Sequence, residues 1–313
     1  MSSKQKEDAD YEEYECLKQS KFKQQKLPGW RHYPSMLNAI LFFFSIGILS
    51  IGIGVALFLF SEDIVEEEFD YYNNQSSFVY NISKDMKADI MVYYKVYNFY
   101  QNNRRFMNSR SEDQLRGKNI TKNDMEDRHE CDPIISNENL NINLSIDNLD
   151  GKELANPCGL LARSFILFND KFTISFINGT EIPINDTNIA RKYDIDNYKS
   201  SNSPKPWTNI EDEHFLVWMR PSPFANFTKL YGRINRTLYK DTQIKITIES
   251  GKYFNETEFQ ISNINKTIVL ATVNSFGGKN NELALSYGIF GLACIVLGIS
   301  FIIAFKCHDK KDK

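Results

Sequence analysis

Residues able to do chemistry are scattered in this chain rather than gathered. Its four histidines, His32, His129, His214 and His308, share no metal-ligand spacing. His214 follows Asp212 and Glu213 and could act as a general base, yet a structurally bonded or solvated histidine fits the same residues without any reaction. Gly277-Gly278-Lys279-Asn280 offers amides and an ammonium to a phosphate, but it lacks the upstream glycine and the Ser or Thr after the lysine that a phosphate loop uses. It reads as loop punctuation. Tyr97 to Arg110 mixes basic and aromatic residues in the manner of a nucleic-acid surface. One modification chemistry is dense: Asn-x-Ser/Thr sequons begin at Asn74, Asn81, Asn119, Asn143, Asn178, Asn185, Asn226, Asn235, Asn255 and Asn265. Oligosaccharide transfer to such sites takes place only in a secretory lumen.

The elements that must position these residues start with two apolar runs. Residues 36–60 and 283–305 carry no formal charge, and each exceeds the roughly 20 residues that cross a bilayer core. Neither shows the polar stripe of a half-buried soluble helix, so both read as transmembrane helices. The first run is longer than a signal-peptide core and lies behind 35 residues of chain, which makes it a retained anchor. Lys18, Lys21, Lys23, Lys26 and Arg31 precede it, and Lys306, Lys310, Lys311 and Lys313 follow the second run. Basic flanks stay cytosolic, so both termini are expected in the cytosol. All ten sequons fall between the spans, as a translocated region requires. A lumenal position removes nucleic acid as a partner for Tyr97 to Arg110.

The expected organisation is a cytosolic tail at 1–35, a first transmembrane helix at 36–60, a glycosylated β-rich domain at 61–282, a second transmembrane helix at 283–305 and a short cytosolic tail at 306–313. Cys131 and Cys158 are the cysteines of the translocated region, where oxidation is permitted. They either pair or remain two thiols. A bond closing that loop would stabilise the domain by roughly 3.5 kcal/mol on the chain-entropy model. Strands are expected at Ile90 to Tyr97, Phe172 to Ile177, Phe215 to Met219, Ile244 to Ile248 and Thr267 to Val273, because these runs alternate and are rich in β-branched and aromatic residues. Turn-rich stretches between them favour an antiparallel sandwich-like domain with short helices over alternating βαβ units. The spans hold no ionisable group but several glycines, Gly47, Gly52, Gly54, Gly288, Gly291 and Gly298, where helices can approach closely.

Several collinear motifs resemble those of one family. FKQQKLPGW at Phe22 to Trp30 precedes the first span, and Ile51-Gly52-Ile53-Gly54 lies inside it. Between the spans come YQNNRRFMNSR at Tyr100 to Arg110, PCGLLARSFILFND at Pro157 to Asp170, EHFLVWMR at Glu213 to Arg220, FTKLYGRI at Phe227 to Ile234 and SFGGKN at Ser275 to Asn280. In these segments the chain is similar to the auxiliary β subunits of type-four P-type ATPases, the phospholipid flippases, known as the cell-division-control-protein-fifty or ligand-effect-modulator family. The resemblance runs from about Ser20 to Phe305.

It implies a non-catalytic subunit in a heterodimer with an ATPase that carries the aspartyl-phosphate chemistry. The subunit would support that enzyme's exit from the endoplasmic reticulum and its lipid-flipping cycle, without metal or cofactor of its own, in endoplasmic reticulum, Golgi, endosomal or plasma membrane. Phe22, Lys23, Gln24, Gln25, Leu27, Pro28 and Trp30 would lie along the partner's cytosolic face and touch membrane lipids, with Gly52 and Gly54 in the membrane contact. The bridge carried over by the resemblance is Cys131 to Cys158. The further cysteines such proteins carry soon after the first span are absent between Glu62 and Met86, and the usual sequon after Phe-Asn-Asp is lost at Asn169-Asp170-Lys171. A stand-alone glycosylated adhesion or receptor protein and a lumenal hydrolase are the competing readings.

Overall fold

The computed structural model describes residues 18, 35–71, 77–201, 203–253, 264–274 and 277–309. The chain divides into a helical unit, residues 1–56 with 282–313, and a compact domain, residues 57–281.

Helix α1 runs Met36–Glu62 and begins the chain's described architecture, and the last helix, α8, runs Asn281–Asp309. Both are transmembrane helices, long and apolar enough to cross a bilayer, where a helix keeps its backbone hydrogen bonds within the segment. Within the helical unit the two pack antiparallel, since Phe43 stacks on Phe301 at 5.5 Å while Gly54 meets Ala284 and Gly288. Glycine permits the approach: a β-carbon at Gly47 would lie 3.0 Å from the Gly291 carbonyl oxygen, and one at Gly291 would lie 2.8 Å from that of Gly47.

The domain is built on two four-stranded antiparallel sheets. One takes the order β1 (Glu66–Tyr71), β8 (Asn265–Ala271), β3 (Ile90–Tyr97), β6 (Phe227–Ile234). The other takes β2 (Ser77–Asn81), β7 (Gln243–Glu249), β4 (Lys171–Phe176), β5 (Glu181–Ile182). Alternate residues of β1 and β3 are buried, the pattern of a strand with one face on a core. The faces meet through aromatic rings: Phe69 against Tyr80 at 4.3 Å, Tyr71 against Phe172 at 5.9 Å and Phe172 against Tyr231 at 4.6 Å. Between β3 and β4 the chain adds short helices α2 (Arg104–Asn108), α3 (Glu112–Leu115), α4 (Lys122–Arg128) and α5 (Leu160–Ser164), and between β5 and β6 it adds α6 (Lys192–Asn197) and α7 (Glu213–Trp218).

The strand expected at Phe215 to Met219 is helix α7. Asp212 caps it, its carboxylate accepting the His214 amide at 3.1 Å, and Phe215, Leu216 and Trp218 point into the core from one helical face. A five-residue apolar run fits either period, and the capping aspartate decides it here. FTKLYGRI, read as a motif without a structure, is strand β6, and the acidic-aromatic stretch Glu66–Tyr71, for which no element was expected, is β1. β4 and β8 begin one and two residues before the expected Phe172 and Thr267.

An ion pair crosses the sandwich. Asp170, just before β4, accepts from Lys266 Nζ of β8 at 2.6 Å and from the Tyr71 hydroxyl of β1 at 3.0 Å. Lys266 and Asp170 side chains are 1% and 4% exposed, so this pair is held out of water between the sheets. Burial lowers the Lys266 pKa and the carboxylate opposes that shift; burial and Asp170 together hold the Tyr71 hydroxyl well above its usual range.

Candidate partner-binding surfaces

Six glycines were available to the spans, and the fold uses them differently. Gly47, Gly54, Gly291 and Gly298 face the chain's own opposite helix, with atoms 2.7 to 3.0 Å from where a β-carbon would sit. Gly52 and Gly288 have nothing within 4 Å of that position. Gly54 is therefore spent inside the helical pair, against the Ala284 carbonyl and Gly288 amide, while Gly52 opens outward. The expected cytosolic contacts Phe22, Lys23, Gln24, Gln25, Leu27, Pro28 and Trp30 lie outside the described residues.

Motifs spread along the sequence converge in the domain. Asn103 caps α2 by accepting the Arg105 and Phe106 amides, and Ser109, which ends that helix, donates from its hydroxyl to the Asp132 carbonyl at 2.7 Å. Gly159 sits so tightly on Ser109 that a β-carbon would fall 2.1 Å from its carbonyl oxygen, and its φ of +97° also demands glycine. The Trp218 indole of α7 donates to the Leu161 carbonyl at 3.1 Å and the Ser164 hydroxyl at 3.0 Å, and stacks on Phe168 at 4.3 Å. Lys229 of β6 caps the end of α7 by donating to the Val217 carbonyl, at 3.2 Å, and the Arg220 carbonyl. Arg220 in turn forms a two-bond pair with Asp194 of α6. These motifs form one packed hub that fixes helices on the sheets.

Cys131 and Cys158 are joined, with α-carbons 5.6 Å apart, tying the segment after α4 to the hub. Of the sequon asparagines, Asn81, Asn119, Asn143, Asn178, Asn185, Asn226, Asn235 and Asn265 are exposed, and Asn74 and Asn255 lie outside the described residues. At Asn143, Asn178 and Asn185 the side-chain oxygen accepts the amide two residues on, in local turns. At Asn265 the sequon's Thr267 is fully buried and bonded to Asp70. His214 holds a loop: its Nε2 is 3.5 Å from Asp186 Oδ2 and its ring lies 4.5 Å from that of Tyr231. Neighbouring Glu213 accepts the amides of Asn188, Ile189 and Ala190 in the same loop. Among the described residues no cluster of His, Cys, Asp and Glu is arranged to hold a metal ion.

Sequence reasoning passed over the buried Lys266 and Lys229. Their signal was faint: Lys229 occupies a buried position of a partly alternating strand, and Lys266 lies in a strand buried at every residue after Asn265.

Comparison with known proteins agrees with the motif pattern. The model of the ligand-effect modulator 3 (LEM3) and CDC50 family matches residues 1–311. ALA-interacting subunit 3 of Arabidopsis thaliana is 31% identical over 331 residues, 94% of this chain and 87% of its own. Putative ALA-interacting subunit 2 of the same plant is also 31% identical, over 90% and 86% of the two chains. Cell cycle control protein 50A of Bos taurus is 27% identical over 90% of this chain and 87% of its own.

Proposed function

The chain belongs to the LEM3/CDC50 family, and from that membership we propose that it is the non-catalytic accessory subunit of a phospholipid-transporting type-four P-type ATPase. The observation that carries this reading is end-to-end similarity to proteins named as interacting subunits. The architecture supports it. Buried residues of the domain motifs, among them Ser109, Trp218 and Lys229, pack on their neighbours, and the apolar stretches of the spans contain no Asp, Glu, Lys, Arg or His for an ion or proton path. What remains available to a partner is surface: the outward glycine face of the helical pair and the exposed face of the domain. The subunit stabilises its ATPase, accompanies it out of the endoplasmic reticulum and supports its lipid-flipping cycle, with both termini in the cytosol.

Pull-down of the tagged full chain from native membranes in mild detergent tests this directly. A P-type ATPase recovered in roughly stoichiometric amount is the expected result. Its absence would overturn the proposal and leave the adhesion or receptor reading.

A further inference from the structure

The described sequons divide on the placement of their third residue. Transfer of an oligosaccharide to asparagine needs the Ser or Thr two positions on as well as the asparagine, so both must be presented to the transferring enzyme. At Asn265 the asparagine is exposed but Thr267 is fully buried. At every other described sequon the Ser or Thr is exposed or half-buried, from Ser83 after Asn81 to Thr237 after Asn235.

The fold locks the residues that follow Asn265 on both faces of β8. The Thr267 hydroxyl donates to Asp70 Oδ1 at 2.7 Å on the outer face, and Lys266 Nζ donates to Asp170 Oδ2 at 2.6 Å between the sheets. β8 is an interior strand: Asn265 sits opposite Tyr97 of β3, and Lys266 and Thr267 each sit opposite one residue of β3 and one of β1. Presenting this tripeptide to an enzyme means drawing β8 out of its sheet and leaving Asp170 buried without its lysine, an opening that approaches unfolding of the domain in cost. β8 is also the last of the described strands in sequence, and both strands it joins precede it. Its partners are therefore already in place when it is delivered, and pairing competes with modification from that moment.

We propose that Asn265 is a folding-conditional glycosylation site, bare in chains whose β8 has entered the sheet and modified in chains where it has not. In the second case Asn265 Nδ2 attacks the anomeric carbon of a lipid-diphosphate-linked oligosaccharide. The C–N bond forms as the C–O bond to the diphosphate breaks, the diphosphate leaves with that electron pair, and the amide gives up one proton. A glycan at this position records that the strand came late, whereas sequons with an exposed Ser or Thr are indifferent to it. The inference rests on the lumenal placement of the domain.

Gel mobility of the full chain, pulse-labelled in cells that add N-glycans, tests it. Asn265→Gln in the native chain should leave mobility unchanged, whereas Asn178→Gln, in a sequon whose Thr180 is exposed, should remove one glycan. Asp170→Ala and Asp70→Ala, which release Lys266 and Thr267, should each add a slower band that a further Asn265→Gln abolishes. Asp70→Asn, which keeps an acceptor for the Thr267 hydroxyl, should add none. Loss of one glycan on Asn265→Gln in the native chain, or no slower band in either alanine variant, would overturn the proposal and leave the lumenal placement standing. Bands insensitive to N-glycosidase in every background would overturn the placement, and the proposal with it. Pulse labelling counts chains before they are degraded, so a variant that never reaches the native fold still gives a reading.

Discussion

Two buried lysines show how this domain handles charge at the scale of the residue. Lys266 is placed opposite Asp170, so its cost of burial is offset by a partner and by the Tyr71 hydroxyl that shares the carboxylate. Lys229 is 8% exposed and spends its ammonium on the carbonyls of Val217 and Arg220, with the rings of Trp218 and Phe227 nearby. Burial pushes its pKa down to about 7, helped by the positive charge of Arg220. Above that value the folded state gives up the proton while the unfolded chain, with an ordinary lysine pKa of about 10.4, still holds it. The unfolded state then binds more protons, so stability rises with pH from about 7 towards the ordinary value and is flat below. Melting curves from pH 6 to 9 should therefore show an upward slope approaching about 1.4 kcal/mol per pH unit that Lys229→Met removes. Parallel curves for the two proteins would show that Lys229 stays protonated in the fold.

Between elements, the two spans form a pair by giving up side chains where they cross. Gly47 and Gly291 bring backbone against backbone, and Phe44 covers Gly298. In lipid such contacts matter because apolar surface alone gives helices no reason to associate. Gly52 has no such contact, which separates two roles within the Ile51-Gly52-Ile53-Gly54 run. Cysteines replacing Phe43 and Phe301 should cross-link readily through a short bifunctional thiol reagent, since the native rings stack with centroids 5.5 Å apart. Gly291→Leu should suppress that cross-link. Gly52→Leu should leave it intact and instead weaken ATPase recovery by about 1 kcal/mol, roughly fivefold. Unchanged recovery with Gly52→Leu would remove this face from the partner contact. The sequence exposed the spans because lipid tolerates one composition over a full crossing, and it exposed β3 because eight alternating residues leave one period. It concealed α7, where the apolar run is too short to reveal a period and a single aspartate sets the geometry. β1 was obscured by Glu66, Glu68 and Asp70 on its outer face, although Phe69 and Tyr71 face the core. The hub was visible only as motifs, because contacts such as Gly159 on Ser109 and Trp218 on Leu161 join residues about 50 or more positions apart and no local pattern records them.

For the whole molecule the decisive quantity is orientation, and independent signals bear on it. Two spans place both termini on one side whatever that side is. The lysines and arginine before residue 36 and the lysines after residue 305 favour the cytosol for that side, because basic flanks resist translocation. The inter-span domain carries the disulfide, which persists in oxidising compartments, and every sequon asparagine described in it is exposed to solvent. In sealed microsomes, added protease should remove epitopes fused to either terminus and leave the domain protected. The protected fragment should then lose mass on treatment with an N-glycosidase once the membrane is opened. Terminal epitopes that survive, together with a domain digested from outside, would invert the topology. Inversion would expose the Cys131–Cys158 bond to a reducing compartment and deny the FKQQKLPGW segment any contact with a partner's cytosolic face.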